Sequence, residues 1–275
     1  MLSLTACREE PYIACKGNPA CKIRCAPDTA LFLLCLGFVP LPGKEEELRR
    51  YLFFILLTVS SAVSNGSEME VSLAGVPYLE NFNGFLGTYE TLPVGCFVSL
   101  DSSNLLTATN TDFHGIHAGG VTAGGCYAWN VGRNDYALGY QPTDSEFTPG
   151  FFLVVVSNAT KVVVQELDVS YDVFCLNNAD RSSSLDFEIS CDGKFYSRLT
   201  GLVFVSGQLR DDSGSWVRSA RSCHIVFPKP VAVGNCIWLR WLGNDAGGAS
   251  SRDEYGIDNL RIILHHKGGT VISIR

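Results

Sequence analysis

Positive charge is scarce in this chain of 275 residues: 21 Lys and Arg stand against 28 Asp and Glu, a formal net charge of -7. Such a balance supplies no positive field for neutralising phosphates, so a non-specific nucleic-acid binder is excluded. Charge of either sign is also thin, at 18% of residues against 46% hydrophobic. A chain with that ratio buries enough apolar surface to fold, which excludes disorder over its whole length. No apolar run approaches the ~18 residues that cross a bilayer as a helix. No stretch longer than about ten residues keeps a helical period of 3.6. The signatures of dinucleotide, P-loop, helical zinc-protease and serine-hydrolase sites are missing as well. The length suits one or two domains.

The first 64 residues differ from the rest. They hold five of the 11 cysteines (Cys7, Cys15, Cys21, Cys25, Cys35) at spacings that repeat no paired zinc motif. They also hold 7 basic and 6 acidic residues, which leaves 14 basic and 22 acidic residues to the body. Two apolar runs, Ala30 to Leu41 and Tyr51 to Val59, are separated by the charged stretch Lys44 to Arg50. The second follows Arg49-Arg50 and precedes Ser60-Ser61-Ala62-Val63-Ser64. Basic residues, a short apolar core and then small residues are the order of a secretory signal. Residues 1–64 are therefore expected to be a non-globular leader with a signal peptide at about 49–64. Cleavage after Ala62 or Ser64 would start the mature chain at Val63 or Asn65. The 48 residues upstream then imply a mis-assigned start; a membrane-associated hairpin segment and a buried core helix are the alternatives. A short linker, 65–77, follows.

Beyond Tyr78 the text becomes aromatic, β-branched and rich in turn formers. Strands are expected at Leu92 to Leu100, Gly125 to Val131, Tyr136 to Gly139, Phe151 to Val156, Lys161 to Val164 and Val169 to Cys175. Others are expected at Ser184 to Ile189, Leu202 to Val205, Cys223 to Phe227, Cys236 to Leu242 and Gly256 to Leu264. Alternation is clean in Leu185-Asp186-Phe187-Glu188-Ile189. Ser157-Asn158-Ala159-Thr160 has the length of a hairpin turn, and Pro228-Lys229-Pro230 reads as a loop. Short strands at regular spacing predict an all-β fold, a disulfide-containing jelly roll or antiparallel β-sandwich over 78–265, with 266–275 a tail or strand extension.

The six body cysteines, Cys96, Cys126, Cys175, Cys191, Cys223 and Cys236, are an even set behind a signal-like segment, so three disulfides are expected. Cys223 with Cys236 and Cys175 with Cys191 bracket apparent turns, which leaves Cys96 and Cys126; isolated buried thiols are the alternative. Asn65 and Asn158 head glycosylation sequons. The glycine-rich stretch from Thr111 to Gly125 reads as a loop, and His114 with His117 inside it gives only a weak metal signal.

The body resembles a family of jelly-roll-like modules of exported bacterial proteins, some with surface-sorting segments and some beside secreted nuclease-like domains. The likeness rests on Tyr78-Leu79-Glu80-Asn81-Phe82-Asn83-Gly84, Leu92-Pro93-Val94-Gly95 and Asp135-Tyr136-Ala137-Leu138-Gly139. It continues in Leu167-Asp168-Val169-Ser170-Tyr171, Leu185 to Ser190, Trp238-Leu239-Arg240-Trp241 and Tyr255-Gly256-Ile257-Asp258-Asn259-Leu260. The chain departs from the family pattern after Tyr171, at Asp172-Val173-Phe174-Cys175, and in its abundant cysteines. The resemblance implies a pairing of the first and last strands and names no established reaction. With that pairing, Glu80, Asn83, Asp253 and Asp258 would bring oxygen ligands together for calcium. Trp129, Tyr136, Trp216 and Tyr255 are the candidate sugar-stacking rings. The expected function is a secreted or cell-surface binding or adhesion module, carbohydrate-binding and calcium-stabilised, and not an enzyme. Its expected partners are a glycan or an extracellular surface protein, with membrane contact only through an uncleaved leader. A structural matrix protein without a soluble ligand is the alternative, ahead of a secreted hydrolase.

Overall fold

The computed structural model describes residues 68–101 and 108–266, with the backbone of three short strands nearer the start. The leader cysteines, the signal-like segment 49–64, Asn65 and the tail beyond His266 lie outside the described residues. The chain divides into two units, Met1–Ser61 and Ala62–Arg275. In the first, β1 (Ser3–Thr5), β2 (Tyr12–Ala14) and β3 (Lys22–Arg24) form an antiparallel sheet in the order β1-β2-β3.

The second unit is all-β. Its strands are β4 (Met69–Val71), β5 (Tyr78–Glu80), β6 (Cys96–Ser99), β7 (Phe113–His117), β8 (Gly125–Gly132) and β9 (Asp135–Gln141). There follow β10 (Gly150–Asn158), β11 (Val164–Leu176), β12 (Arg181–Ser190), β13 (Ser197–Arg198) and β14 (Phe204–Val205). The chain closes with β15 (Val217–Val231), β16 (Cys236–Gly248) and β17 (Glu254–His265). Sheet I runs β13-β12-β16-β10-β4, with β14 on β12 and β6 on β10; sheet II runs β15-β11-β17-β9-β8-β7, with β5 on β17. Two pairs, β4 with β10 and β7 with β8, are parallel, and the remaining pairs are antiparallel.

Apolar alternation explains the layering. Phe152, Val154 and Val156 of β10, Leu185 and Phe187 of β12, and Ile237, Leu239 and Trp241 of β16 point inward from sheet I. Leu167, Val169, Tyr171 and Val173 of β11 and Ile257, Leu260, Ile262 and Leu264 of β17 meet them from sheet II. Aromatic rings lock the seam. Trp241 meets Tyr171 and Phe187 edge-on at 5.3 and 5.2 Å, while Tyr140 stacks on Phe147 at 4.1 Å.

From β9 onward the main strands alternate between sheets: β10 in I, β11 in II, β12 in I, β15 in II, β16 in I and β17 in II. That alternation overturns the hairpin expected between β10 and β11, whose connection crosses the sandwich instead. The cysteine pairs expected across turns are overturned as well, since the strands that carry them are not ladder partners. Cys175 of β11 and Cys191 beyond β12 belong to opposite sheets, as do Cys223 of β15 and Cys236 of β16, and Cys96 of β6 and Cys126 of β8. All six of these cysteines are free thiols. Pro228 and Pro230 also lie inside a strand rather than a loop. They fall where the β15–β11 register shifts, on the outermost strand of sheet II, where a missing N–H costs no ladder bond.

Burial sorts the thiols by reactivity. Cys96, Cys126 and Cys175 are buried and their thiol pKa values are pushed up by desolvation, whereas Cys191 is exposed. Alkylation of the native protein with peptide mapping is expected to label Cys191 first and to reach Cys96, Cys126 and Cys175 only on unfolding. A cross-linked peptide joining any two of these six would contradict the structure.

Candidate functional site

The outward face of sheet II carries a polar groove across β15, β11 and β17, with β5 at its lip. Its origin is the period of two along β11. Leu167, Val169, Tyr171 and Val173 enter the core, so Asp168, Ser170 and Asp172 face outward. Ladder pairing then sets three rows across the strands. Asp172 lies opposite Asp258 and Ala220, Ser170 opposite Arg261 and Ser222, and Asp168 opposite Ile263 and His224.

The first row is a charge network. Asp172, almost fully buried, receives Arg218 Nε at 2.8 Å and Asn259 Nδ2 at 2.9 Å. The register of β11 against β17 shifts between Ser170 and Asp172, and Asn259 sits there at φ 53°. Asparagine tolerates that left-handed backbone, and its short amide serves the carboxylates around it. Its N–H donates to Asp258 Oδ1 at 2.6 Å and its Nδ2 to Asp258 Oδ2 at 3.2 Å. The Ile-Asp-Asn-Leu text is thus the sequence of a strand irregularity. Asp258 is fully buried, and desolvation drives its pKa up to about 7, with the Asp135, Asp172 and Glu80 carboxylates adding to the rise and the Asn259 N–H opposing it.

The third row joins three strands through one carboxylate. His224 Nδ1 and His265 Nε2 each lie 2.7 Å from an oxygen of Asp168. These imidazole bonds, His224 first, hold the Asp168 pKa below the usual carboxylate range. The middle row, Arg261, Ser170 and Ser222, contains no acid. A cavity of about 680 Å³ over the first two rows and one of about 340 Å³ over the last two share these three residues, so the groove is continuous. Leu79, 69% exposed, forms an apolar lip.

A glycine-rich cap lies on the same face. Glu254 Oε2 and Oε1 accept the N–H groups of Gly120 and Val121 at 2.8 and 2.6 Å, and Trp216 Nε1 donates to the Ala118 carbonyl at 2.9 Å. Gly119, at φ 104°, has no room for a side chain: a Cβ would meet Leu176, Glu254 and Trp216. Beneath the cap, Trp129 stacks on Tyr127 at 4.4 Å, lies 5.5 Å from Trp216 and donates to the Tyr255 carbonyl at 3.3 Å.

The four candidate sugar-stacking residues therefore part company. Trp129 and Tyr255 are fully buried, the second with its hydroxyl on the Ser184 carbonyl at 3.2 Å. Tyr136 and Trp216 are half-buried, and neither lines the groove. The oxygen set also divides. β5 pairs with β17 at Leu260 opposite Glu80, so Glu80 and Asp258 do come near each other. Asn83 spends its Oδ1 on the Tyr136 N–H at 2.8 Å. Asp253 lies at the far end of the ladder, accepting the Ala179 N–H at 3.1 Å, and does not join them. Asn158, expected in an exposed turn, is buried, donating to the Val162 and Val231 carbonyls and accepting from Thr160; its amide builds the turn. His114 and His117 are each engaged locally, with the Gly124 carbonyl and the Gly119 N–H, and both rings pack on Tyr127. Among the described residues no group of three or more His, Cys, Asp or Glu side chains is arranged to hold a metal.

Of the groove residues, the sequence-based selection of ligand and metal residues holds Glu80 and Asp258 but none from β11 or β15, although a signal existed there. Asp168-x-Ser170-x-Asp172 and Arg218-x-Ala220-x-Ser222-x-His224 are period-two runs of outward positions. The second went unread because β15 begins six residues before the strand expected there.

No family model matches the chain, and no curated protein matches it. Among solved structures it is similar to the CBM22-1 xylan-binding domain from Paenibacillus barcinonensis Xyn10C, at 13% identity and TM-score 0.38, covering 72% of this chain and 100% of that one. It is also similar to the K3 cleaved adhesin domain of Lys-gingipain from Porphyromonas gingivalis, at 10% identity and TM-score 0.35, covering 68% and 98%. A third is a CBM28 module specific for non-crystalline cellulose, at 8% identity and TM-score 0.35, covering 73% and 98%. These neighbours are carbohydrate-binding modules and an adhesin domain rather than the sorting-signal or nuclease-like proteins of the expected resemblance. Likenesses this distant assign no ligand.

The buried Asp258 gives the site a pH signature. Its folded pKa of about 7 stands above an unfolded value of 3.8. The stabilisation is therefore complete below about pH 4 and is lost as pH rises through about 7, by at most about 4 kcal/mol. Asp258→Asn is expected to flatten this decline and to melt higher than wild type at pH 8. Parallel pH profiles for the two proteins in urea unfolding would contradict the assignment.

Proposed function

We propose that the Ala62–Arg275 unit is a secreted or cell-surface binding module whose groove takes an extended, polyhydroxylated chain, a glycan, without chemically altering it. The observation that carries this reading is the continuous outward groove, in which donors and acceptors alternate at strand spacing along three adjacent strands. Hydroxyl-rich chains are recognised by such arrays of planar amide, guanidinium and carboxylate groups. With no Trp, Tyr or Phe among the outward residues of the three rows, recognition here rests on hydrogen bonds, and Leu79 supplies the apolar contact.

Ala220 faces the groove and makes no hydrogen bond through its side chain, so Ala220→Trp fills the space without breaking the network. Affinity electrophoresis through a panel of soluble polysaccharides is the test. Wild type is expected to be retarded by at least one of them, and Ala220→Trp, melting like wild type, to lose at least about tenfold in affinity. Equal retardation of the two proteins would overturn the groove as the binding site.

Calcium belongs to the proposal as a stabiliser of the Glu80 and Asp258 end. The carboxylates of Asp135, Asp172 and Glu80 all disfavour ionisation of Asp258, and a hard cation would offset that repulsion. Saturating calcium is then expected to raise Tm in wild type, with a smaller rise in Asp258→Asn. Identical melting in calcium and in chelator would remove calcium from the account.

A further inference from the structure

The charges in the groove are compensated unevenly. Asp172 pairs with Arg218 and accepts from Asn259, and Asp168 accepts hydrogen bonds from His224 and His265. Glu80 accepts the Phe82 N–H at 2.8 Å. Burial and neighbouring carboxylates hold Asp258 towards its neutral form. The Arg261 side chain, half-buried in the middle row, makes no ion pair or hydrogen bond among the described residues, whereas Arg221, which also lines the larger cavity, donates to Ser219 Oγ and the Ala220 carbonyl. The neighbours of Arg261 across the ladder are the hydroxyls of Ser170 and Ser222, equally unengaged. One fixed cation and two hydroxyl donors therefore stand level on three adjacent strands, where the two cavities meet.

We infer that this row receives an oxyanion, a carboxylate or sulfate carried by the glycan, so that the ligand class is an acidic polysaccharide. The inference rests on the groove being the glycan site. A guanidinium presents paired N–H donors in the plane that carboxylate and sulfate oxygens accept. Serine hydroxyls on either side rotate to complete the donor set. The chain's net negative charge does not forbid this: Asp172 is paired with Arg218, Asp168 accepts from two imidazoles, and over the few ångströms of direct contact the local charge outweighs screened distant ones.

Retardation of the full chain by four probes tests it: polygalacturonate and its full methyl ester, and dextran sulfate and dextran. The wild-type protein is expected to prefer one anionic probe over its neutral counterpart by at least about tenfold, and to lose that preference as salt rises. The probe preferred identifies carboxylate or sulfate as the group read. Arg261→Gln should abolish the preference while keeping the wild-type melting curve, and Arg261→Lys should restore part of it. Equal binding of anionic and neutral probes, unchanged in Arg261→Gln, would overturn the oxyanion and leave the groove intact. No retardation by any of the four, with Ala220→Trp also indistinguishable from wild type on the wider polysaccharide panel, would overturn groove and oxyanion together.

Discussion

The period of two along β11 is the constraint on which the rest depends. This strand has neighbours on both edges, β15 and β17, so its side chains can go only inward or outward. Leu167, Val169, Tyr171 and Val173 take the inward positions and close the core against Trp241 and Phe187. Asp168, Ser170 and Asp172 are thereby forced onto the outer face at strand spacing. A one-residue slip would send three polar groups into the core and the core residues to water, so register and groove are fixed by the same burial energy. The shift between Ser170 and Asp172 then brings Asn259 against Asp172 and Asp258. Core and groove are two faces of one alternation.

Local pattern was readable from the sequence where one face is buried. Leu185, Phe187 and Ile189 do point inward in β12, with Glu188 outward on Arg240, and Ile237, Leu239 and Trp241 share the inner face of β16. Connectivity was not readable. Two apolar runs separated by a short polar turn look like a hairpin, yet β10 and β11 lie in different sheets. The choice of sheet is made by long-range ladders such as β10 with β16 and β11 with β17, whose partners are distant in sequence. The cysteine pairing failed for the same reason, because it assumed that residues flanking a turn face one another.

The site was partly legible. Asp258 and Asn259 stood out in the closing strand, and their coupling to Glu80 follows from the β5–β17 ladder. Aromatic rings were a poorer guide. Large rings carry the most burial energy, and Trp129 and Tyr255 are drawn into the fold by it. The groove uses small and charged residues instead, whose spacing is informative only once three strands are known to be neighbours. Ser222 and Arg261 are both opposite Ser170, a relation that appears only in the ladder.

The groove as the ligand site is tested most directly by amide chemical-shift mapping of the labelled protein as a binding polysaccharide fragment is added. The account predicts that the largest shifts fall on Ser170, Asp172, Ala220, Ser222 and Arg261, on three strands that are adjacent in space but far apart in sequence. Shifts confined instead to the outer face of sheet I, around Trp238 and Leu242, with these five amides unmoved, would contradict it.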